Sequence, residues 1–448
     1  VLIATAAVAA AAQTFTTLAY FTDGTTVDSS LIQGRDGNFY GTSNNGGAGG
    51  YGTVFKVTPS GTLTTLYTFC SQANCADGLY PSGRLALGTD GNFYGTAQNG
   101  GASGMGVVFK ITPSGTYTLL HSFSGSDGSG PDAGLVLASD RNFYGTTGSG
   151  GSLGCCGTVF KISAAGALTM LHSFDGSDGS GPSAPLIQGS DGSLYGTTVE
   201  GGAYSSYDCP GGCGTIFKVT TGGKFTLLHS FDFSDGNRIF APLAQDSNGA
   251  FYGTASEGGD VGFYGCSVGC GTVFKISSGG TFAIVHKYAQ NDDPGAPYGF
   301  VLASDGNIYG DSDAVWKLIP PTTFTTVYSF SDASFAATAV LQGTDGLFYG
   351  TEYWEYPSCA IYSLNVGLSP AVAFVIPTGK VGQTAEILGQ GFTGTTAVAF
   401  NGVAAARFSV VSDTYLTAVV PSGASTGEVV VTTPVGALTS NVSFRISK

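Results

Sequence analysis

The stretch "YGTEYWEYP" (349–357) places Glu352 and Glu355 on either side of Trp354, with Tyr353 and Tyr356 alongside. Two further carboxylates, Glu200 and Glu257, stand at matching places in two "EGG" segments. A pair of carboxylates is what glycoside cleavage needs, one as acid and one as base or nucleophile. The neighbouring aromatic rings could stack on sugar faces. A plainer reading weighs against catalysis. The chain carries a formal charge of −14 with only 16 Lys and Arg, and acidic loop residues in such a protein are mostly solvated. Glu200, Glu257, Glu352, Tyr353, Trp354 and Glu355 are therefore candidate ligand-binding residues, and no catalytic residue is assigned.

Other reactive types offer less. The four histidines, His121, His172, His229 and His286, each occupy the same place in a recurring motif. Residues so placed sit on separate repeats and do not converge. No G-x-S-x-G, H-E-x-x-H or P-loop pattern is present. The segments "SGSDGSGPDA" (124–133) and "DGSDGSGPSA" (175–184) offer Asp127, Asp132, Asp175 and Asp178 to calcium. The D-x-D-x-D-G spacing of a calcium loop is missing, so no cofactor is expected. Six of the ten lysines share one repeat position, which points to a structural role. No basic stripe exists, and nucleic acid is not an expected partner.

Nine cysteines fall mostly in close pairs: Cys70 with Cys75, Cys155 with Cys156, Cys209 with Cys213, and Cys266 with Cys270, leaving Cys359 over. In an exported protein these read as small local disulfides. A Cys155–Cys156 bond would need a vicinal geometry. The rival is a four-thiolate zinc site from Cys209, Cys213, Cys266 and Cys270.

The elements that must position these residues come from repetition. The heptapeptide "DGNFYGT" occurs at 36–42 and again, letter for letter, at 90–96. Its Tyr-Gly pair recurs at Tyr40, Tyr94, Tyr144, Tyr195, Tyr252, Tyr309 and Tyr349. Motifs such as "GTVFKV" (52–57) and "LTTLYTF" (63–69) follow each copy in order, the last copy lacking the third motif. Residues 185–231 show one unit: "PLIQGS", a "DG" turn, "SLYGTT", a Gly-rich loop, "GTIFKV", a "TTGG" turn and "KFTLLHSF". Asp-Gly favours a tight hairpin, and aromatic and β-branched residues fill the strands. Seventy-two glycines suit so many turns. Four antiparallel strands in about 50 residues make one blade of a β-propeller. The seventh unit lacks its fourth strand, and the orphan strand "FTTLAYF" (15–21) can supply it. The expected fold is all-β, a seven-bladed propeller closed by the N-terminal strand. The long, variable second-to-third loops share one face with the blade-to-blade loops. That face is the expected recognition surface.

The ordered motifs resemble the GloVer tandem repeat of secreted or surface bacterial proteins, the choice-of-anchor group. The resemblance covers residues 15–365 and implies location and architecture rather than chemistry. Past residue 366 the motifs stop. "GQGF" (389–392), "VAFNGVAA" (398–405), "VPSG" (420–423) and "GEVVVTTPVGA" (427–437) resemble an IPT/TIG domain, which implies an Ig-like sandwich. The expected division is 1–12, 13–366 and 367–448.

The opening "VLIATAAVAAAAQ" resembles the tail of a secretory signal, with Ala10-x-Ala12 before Gln13. Its alternative is a retained apolar arm for self-assembly. No transmembrane span is expected. The functional expectation is a secreted or cell-surface, non-enzymatic binding or adhesion protein. Its partner would be an extracellular glycan or surface protein, and self-assembly could use the N-terminal segment or the Ig-like domain. A filament or surface-layer subunit and a polysaccharide-active enzyme are the rivals.

Overall fold

A computed structural model describes residues 13–21, 25–27, 29–207, 209–260, 269–288, 299–311, 314–320, 323–330, 334–336, 340–354 and 358–447. Six successive stretches each form a four-stranded antiparallel sheet in simple chain order. The first comprises Ile32–Gln33, Phe39–Ser43, Thr53–Val57 and Leu63–Thr68. The others span 86–122, 136–173, 187–230, 244–287 and 300–329. The seventh is composite. Leu341–Gln342, Phe348–Trp354 and Ser358–Asn365 come from the late chain, and Thr14–Phe21 joins them from the N-terminus. Thr14 lies opposite Asn365 and Phe21 opposite Cys359. The short strand Ser334–Ala336 pairs beyond the other end of Phe348–Trp354. No α-helix occurs among the described residues, and no helix is long and apolar enough to cross a membrane.

The heptapeptide does more than turn a hairpin. Asp36 accepts hydrogen bonds from the Asn38 backbone (3.2 Å), the Asn38 side chain (2.7 Å) and the Tyr40 hydroxyl (2.7 Å). Asp90, Asp140, Asp191, Asp305 and Asp345 hold Tyr94, Tyr144, Tyr195, Tyr309 and Tyr349 in the same way. The recurring lysine reaches this carboxylate: Lys161 to Asp140 at 2.8 Å, Lys218 to Asp191 at 2.6 Å, Lys317 to Asp305 at 2.8 Å. Burial alone would raise Asp140. The hydrogen bonds from Lys161, Tyr144 and Asn142 outweigh it and hold the carboxyl below its usual range. The glycine of Tyr-Gly is a packing requirement, because a Cβ on Gly41 would lie 2.6 Å from the Phe55 ring.

The Tyr and Phe of the motif join neighbouring sheets. Tyr40 packs on Phe93 with ring centroids 4.0 Å apart, Tyr94 on Phe143 at 4.0 Å, and Tyr195 on Phe251 at 4.1 Å. Tyr309 meets Phe348 at 4.7 Å. Tyr349 of the seventh sheet then meets Phe39 of the first at 3.9 Å. These rings are buried. Stacking of this kind adds about 0.5–1.5 kcal/mol per pair beyond area burial.

Past Asn365 two further four-stranded sheets share one apolar core. One is Ala373–Phe374, Thr384–Leu388, Tyr415–Val419 and Phe408–Ser412. The other is Val403–Ala404, Ala397–Phe400, Val429–Thr433 and Gly436–Thr439. Ile387, Phe392, Val398, Phe400, Leu416, Val431 and Phe444 fill the space between them. This unit seats on the Asp-Gly turns of the repeat. Arg35 pairs with Glu386, donates to the Thr89 carbonyl at 2.7 Å, and lies 4.5 Å from the Tyr415 ring centroid. Thr414 donates to the Arg35 carbonyl at 2.7 Å.

Candidate functional site

The innermost strand of each sheet is short and leads from the blade-to-blade loop to the Asp-Gly turn. These strands surround a cavity of about 680 Å³. Every repeat contributes to its wall: Leu31, Arg84, Gly134, Pro185, Pro242, Phe300 and Val340, at or just before the innermost strands, are one residue from each. Val442, from the unit seated on the Asp-Gly turns, lines it too. The volume lies within the range of small-molecule sites, and the wall is mostly apolar with a few polar groups, as such sites are.

The sheets hold their places around this cavity by side-chain to backbone hydrogen bonds. Thr42 donates to the Gly83 carbonyl (3.2 Å), Thr96 to Ala133 (2.9 Å), Thr146 to Pro182 (3.3 Å) and Thr197 to Ile239 (3.4 Å). These threonines follow the Tyr-Gly pair in the repeat. The motif thus fixes the spacing of the cavity wall as well as the hairpin.

Two ionisable groups occur among the described lining residues, Arg84 and Asp132. Arg84 is exposed to the cavity yet enclosed by the surrounding sheets, and that enclosure presses its pKa below the ordinary value. Asp132 is half-buried. Desolvation raises its pKa, a hydrogen bond from Gln98 opposes the rise, and its buried Oδ1 has no hydrogen-bond partner. The Ser183 hydroxyl, also on the wall, is buried without a partner.

Of the residues singled out from sequence, Glu200, Glu257 and Glu352 do not line this cavity. Glu200 is exposed and exchanges backbone hydrogen bonds with Ser180. Glu257 occupies the matching place one sheet on, where it accepts from Asn237 at 2.9 Å and lies 3.3 Å from Arg238. Neither lines the cavity. Glu352 is buried in the strand Phe348–Trp354, 3.5 Å from the Thr17 hydroxyl of the N-terminal strand. Desolvation pushes its pKa up to about 7, against a lowering by the Thr17 hydrogen bond. Tyr353 and Trp354 are described as backbone of that strand, and Glu355 lies outside the described residues. Arg84 went unmarked in the sequence reading, although a signal existed. Its repeat position holds Ser30, Gly134, Pro185, Pro242, Gly299 and Ala339 in the other copies. One long cation among small residues and prolines is a departure the repeat does not require.

The disulfides Cys70–Cys75, Cys155–Cys156 and Cys209–Cys213 are formed. Cys270 is disulfide-bonded as well, and Cys266 lies outside the described residues. The zinc alternative is therefore corrected, since Cys209, Cys213 and Cys270 are disulfide-bonded and not thiolates. Among the described residues no three His, Cys, Asp or Glu side chains come together as metal ligands. Asp127 and Asp178, considered for calcium, instead receive His121 at 2.8 Å and His172 at 2.7 Å, and Asp235 receives His229 at 2.8 Å. The histidines sit on the outermost strands of three different sheets, and each aspartate lies six residues further on in the segment that follows.

The repeat architecture has a name. The Gloeobacter/Verrucomicrobia repeat matches residues 6–156 and 106–314, more than half of the chain, and the chain belongs to this family. No curated protein matches it. Among solved structures, the extracellular domain of a hybrid two-component system from B. thetaiotaomicron is similar in fold. Its TM-score is 0.53 at 11% identity, over 94% of this chain and 46% of that one. The chain thus spans less than half the length of that protein. A gluconolactonase from Xanthomonas campestris is similar at 13% identity over 78% of this chain and 88% of that one, with a TM-score of 0.40. The expectation of a non-enzymatic protein is corrected accordingly. Enzymes stand among the structures this fold resembles, and an all-β repeat without catalytic motifs does not exclude catalysis. The likeness is one of fold and assigns no reaction here.

Proposed function

We propose that the chain is an extracellular binding protein that takes its ligand in the central cavity. In this reading residues 13–366 form a seven-bladed propeller with a composite last blade. Residues 367–448 form an Ig-like unit of the IPT/TIG kind, seated on the Asp-Gly face. The single observation that carries the proposal is the cavity of about 680 Å³ walled by all seven repeats. The Tyr349–Phe39 contact between last and first sheets supports ring closure. Three short-range disulfides fit an oxidising, extracellular compartment. The fold shared with an extracellular sensor domain agrees with that location. The ligand is a saccharide or a small molecule of similar size, presented at the cell surface or in the medium.

The test is calorimetric titration of the full chain with neutral and acidic mono- and oligosaccharides, beside the cavity-filling variant Ser30→Trp. Ser30 shares its repeat position with Arg84, so the fold accommodates a long side chain there. Binding by the native chain, lost in Ser30→Trp and kept in Glu200→Ala/Glu257→Ala, is the expected result. A ligand that binds Ser30→Trp as well as the native chain would move the site out of the cavity and overturn the reading.

A further inference from the structure

We infer that the cavity recognises a carboxylate, held by Arg84, on a small ligand whose body packs on the apolar wall. The inference rests on the cavity being the ligand site.

Arg84 makes no hydrogen bond or ion pair with any described residue, and its side chain is exposed on the cavity wall. A guanidinium exposed on a cavity wall with no carboxylate partner has its donors available to an anionic ligand. Asp132 is the other ionisable residue on the described wall, and it does not neutralise Arg84. No ion pair joins the two, and burial favours the neutral form of Asp132. The repeat itself does not call for the charge, since the equivalent residues are small or proline. Nor does Arg84 support the fold through a visible contact, unlike Arg35, which ties the C-terminal unit to the ring.

The chemistry of the wall narrows the anion. A single planar guanidinium matches a carboxylate bidentately, and one positive charge balances one negative charge. A phosphate dianion would bring excess charge into a space with no second cation among the described lining residues. The cavity wall that Arg84 shares is otherwise largely apolar, with Leu31, Pro185, Leu186, Pro242 and the half-exposed Phe240 among its residues. Phe240 gives a ring face on which either a sugar or an aromatic body can stack. A carboxylate on a compact six-membered body satisfies these groups together. Sugar acids and aromatic acids are its two sources.

The experiment titrates the full chain with D-galacturonate and with benzoate. Galactose and benzyl alcohol serve as the uncharged counterparts. One or both acids are expected to bind, and the uncharged counterparts at least about tenfold more weakly, as expected for loss of a charge-assisted pair. Arg84→Gln is expected to remove that advantage, with Arg84→Lys intermediate and thermal unfolding unchanged in both. Galacturonate alone would identify a sugar acid, and benzoate alone an aromatic acid. Either result upholds the carboxylate. If galactose binds as well as galacturonate, and Arg84→Gln binds both like the native chain, the inference fails while the cavity reading stands. If none of the four probes binds, the inference fails. If the wider saccharide panel is also silent, the cavity reading falls with it.

Discussion

Glu352 gives the sharpest quantitative prediction. It is 1% exposed, and burial raises its pKa from 4.5 to about 7. A carboxyl whose folded pKa is raised holds its proton more tightly in the native state than in the unfolded one. Below pH 4.5 both states are protonated, and Glu352 costs nothing. Between 4.5 and 7 the unfolded chain ionises first, so stability falls as pH rises, by about 1.4 kcal/mol per unit. Above 7 the loss levels off near 3 kcal/mol, as an order of magnitude. Glu352→Gln removes the titrating group while keeping its shape. In urea unfolding at pH 5 and pH 8, the native chain should lose more stability across that interval than the variant. The difference of differences should approach about 2–3 kcal/mol. Because Thr17 of the N-terminal strand faces Glu352, protection factors in 14–21, corrected for the intrinsic exchange rate, should fall across the same interval in the native chain and not in the variant. Equal pH dependence in the two proteins would refute the argument, since it would mean Glu352 ionises normally in the folded state.

Two further perturbations address the contact between the first and last sheets and a disulfide loop. Phe39→Ala and Tyr349→Ala should each cost about 3–5 kcal/mol, and their double-mutant cycle should show a coupling of about 0.5–1.5 kcal/mol. Additive effects in urea unfolding would mean that the first and last sheets do not share a seam. Replacing Cys209 and Cys213 together by serine should lower stability by about 2 kcal/mol, the loop-closure value for so short a loop. A native chain treated with reductant should show the same loss at that site, read by proteolysis of the 199–214 loop.

Much of the architecture was legible in the chain because the repeat is written at strand scale. Asp-Gly turns, the Tyr-Gly pair and the alternating "GTVFKV" strands are local signals, and local hydrogen bonding enforces them. The orphan strand 15–21 and the unfinished seventh unit pointed to each other by subtraction, and Thr14–Phe21 does pair with Ser358–Asn365. The close cysteine pairs were equally local, and the three described pairs are bonded.

What the sequence could not decide was which residues of different repeats face each other. The heptapeptide read as a hairpin. Only the tertiary structure showed its Tyr stacked on the Phe of the next copy, because that contact crosses about 50 residues of chain. Glutamates that looked alike by repeat position, Glu200 and Glu257, stay on loops of separate sheets, and neither lines the cavity. Arg84 does line it. Its type and its departure from the repeat were visible in the chain, but its place on the cavity wall without a counter-charge depended on how residues of all seven repeats come together in space.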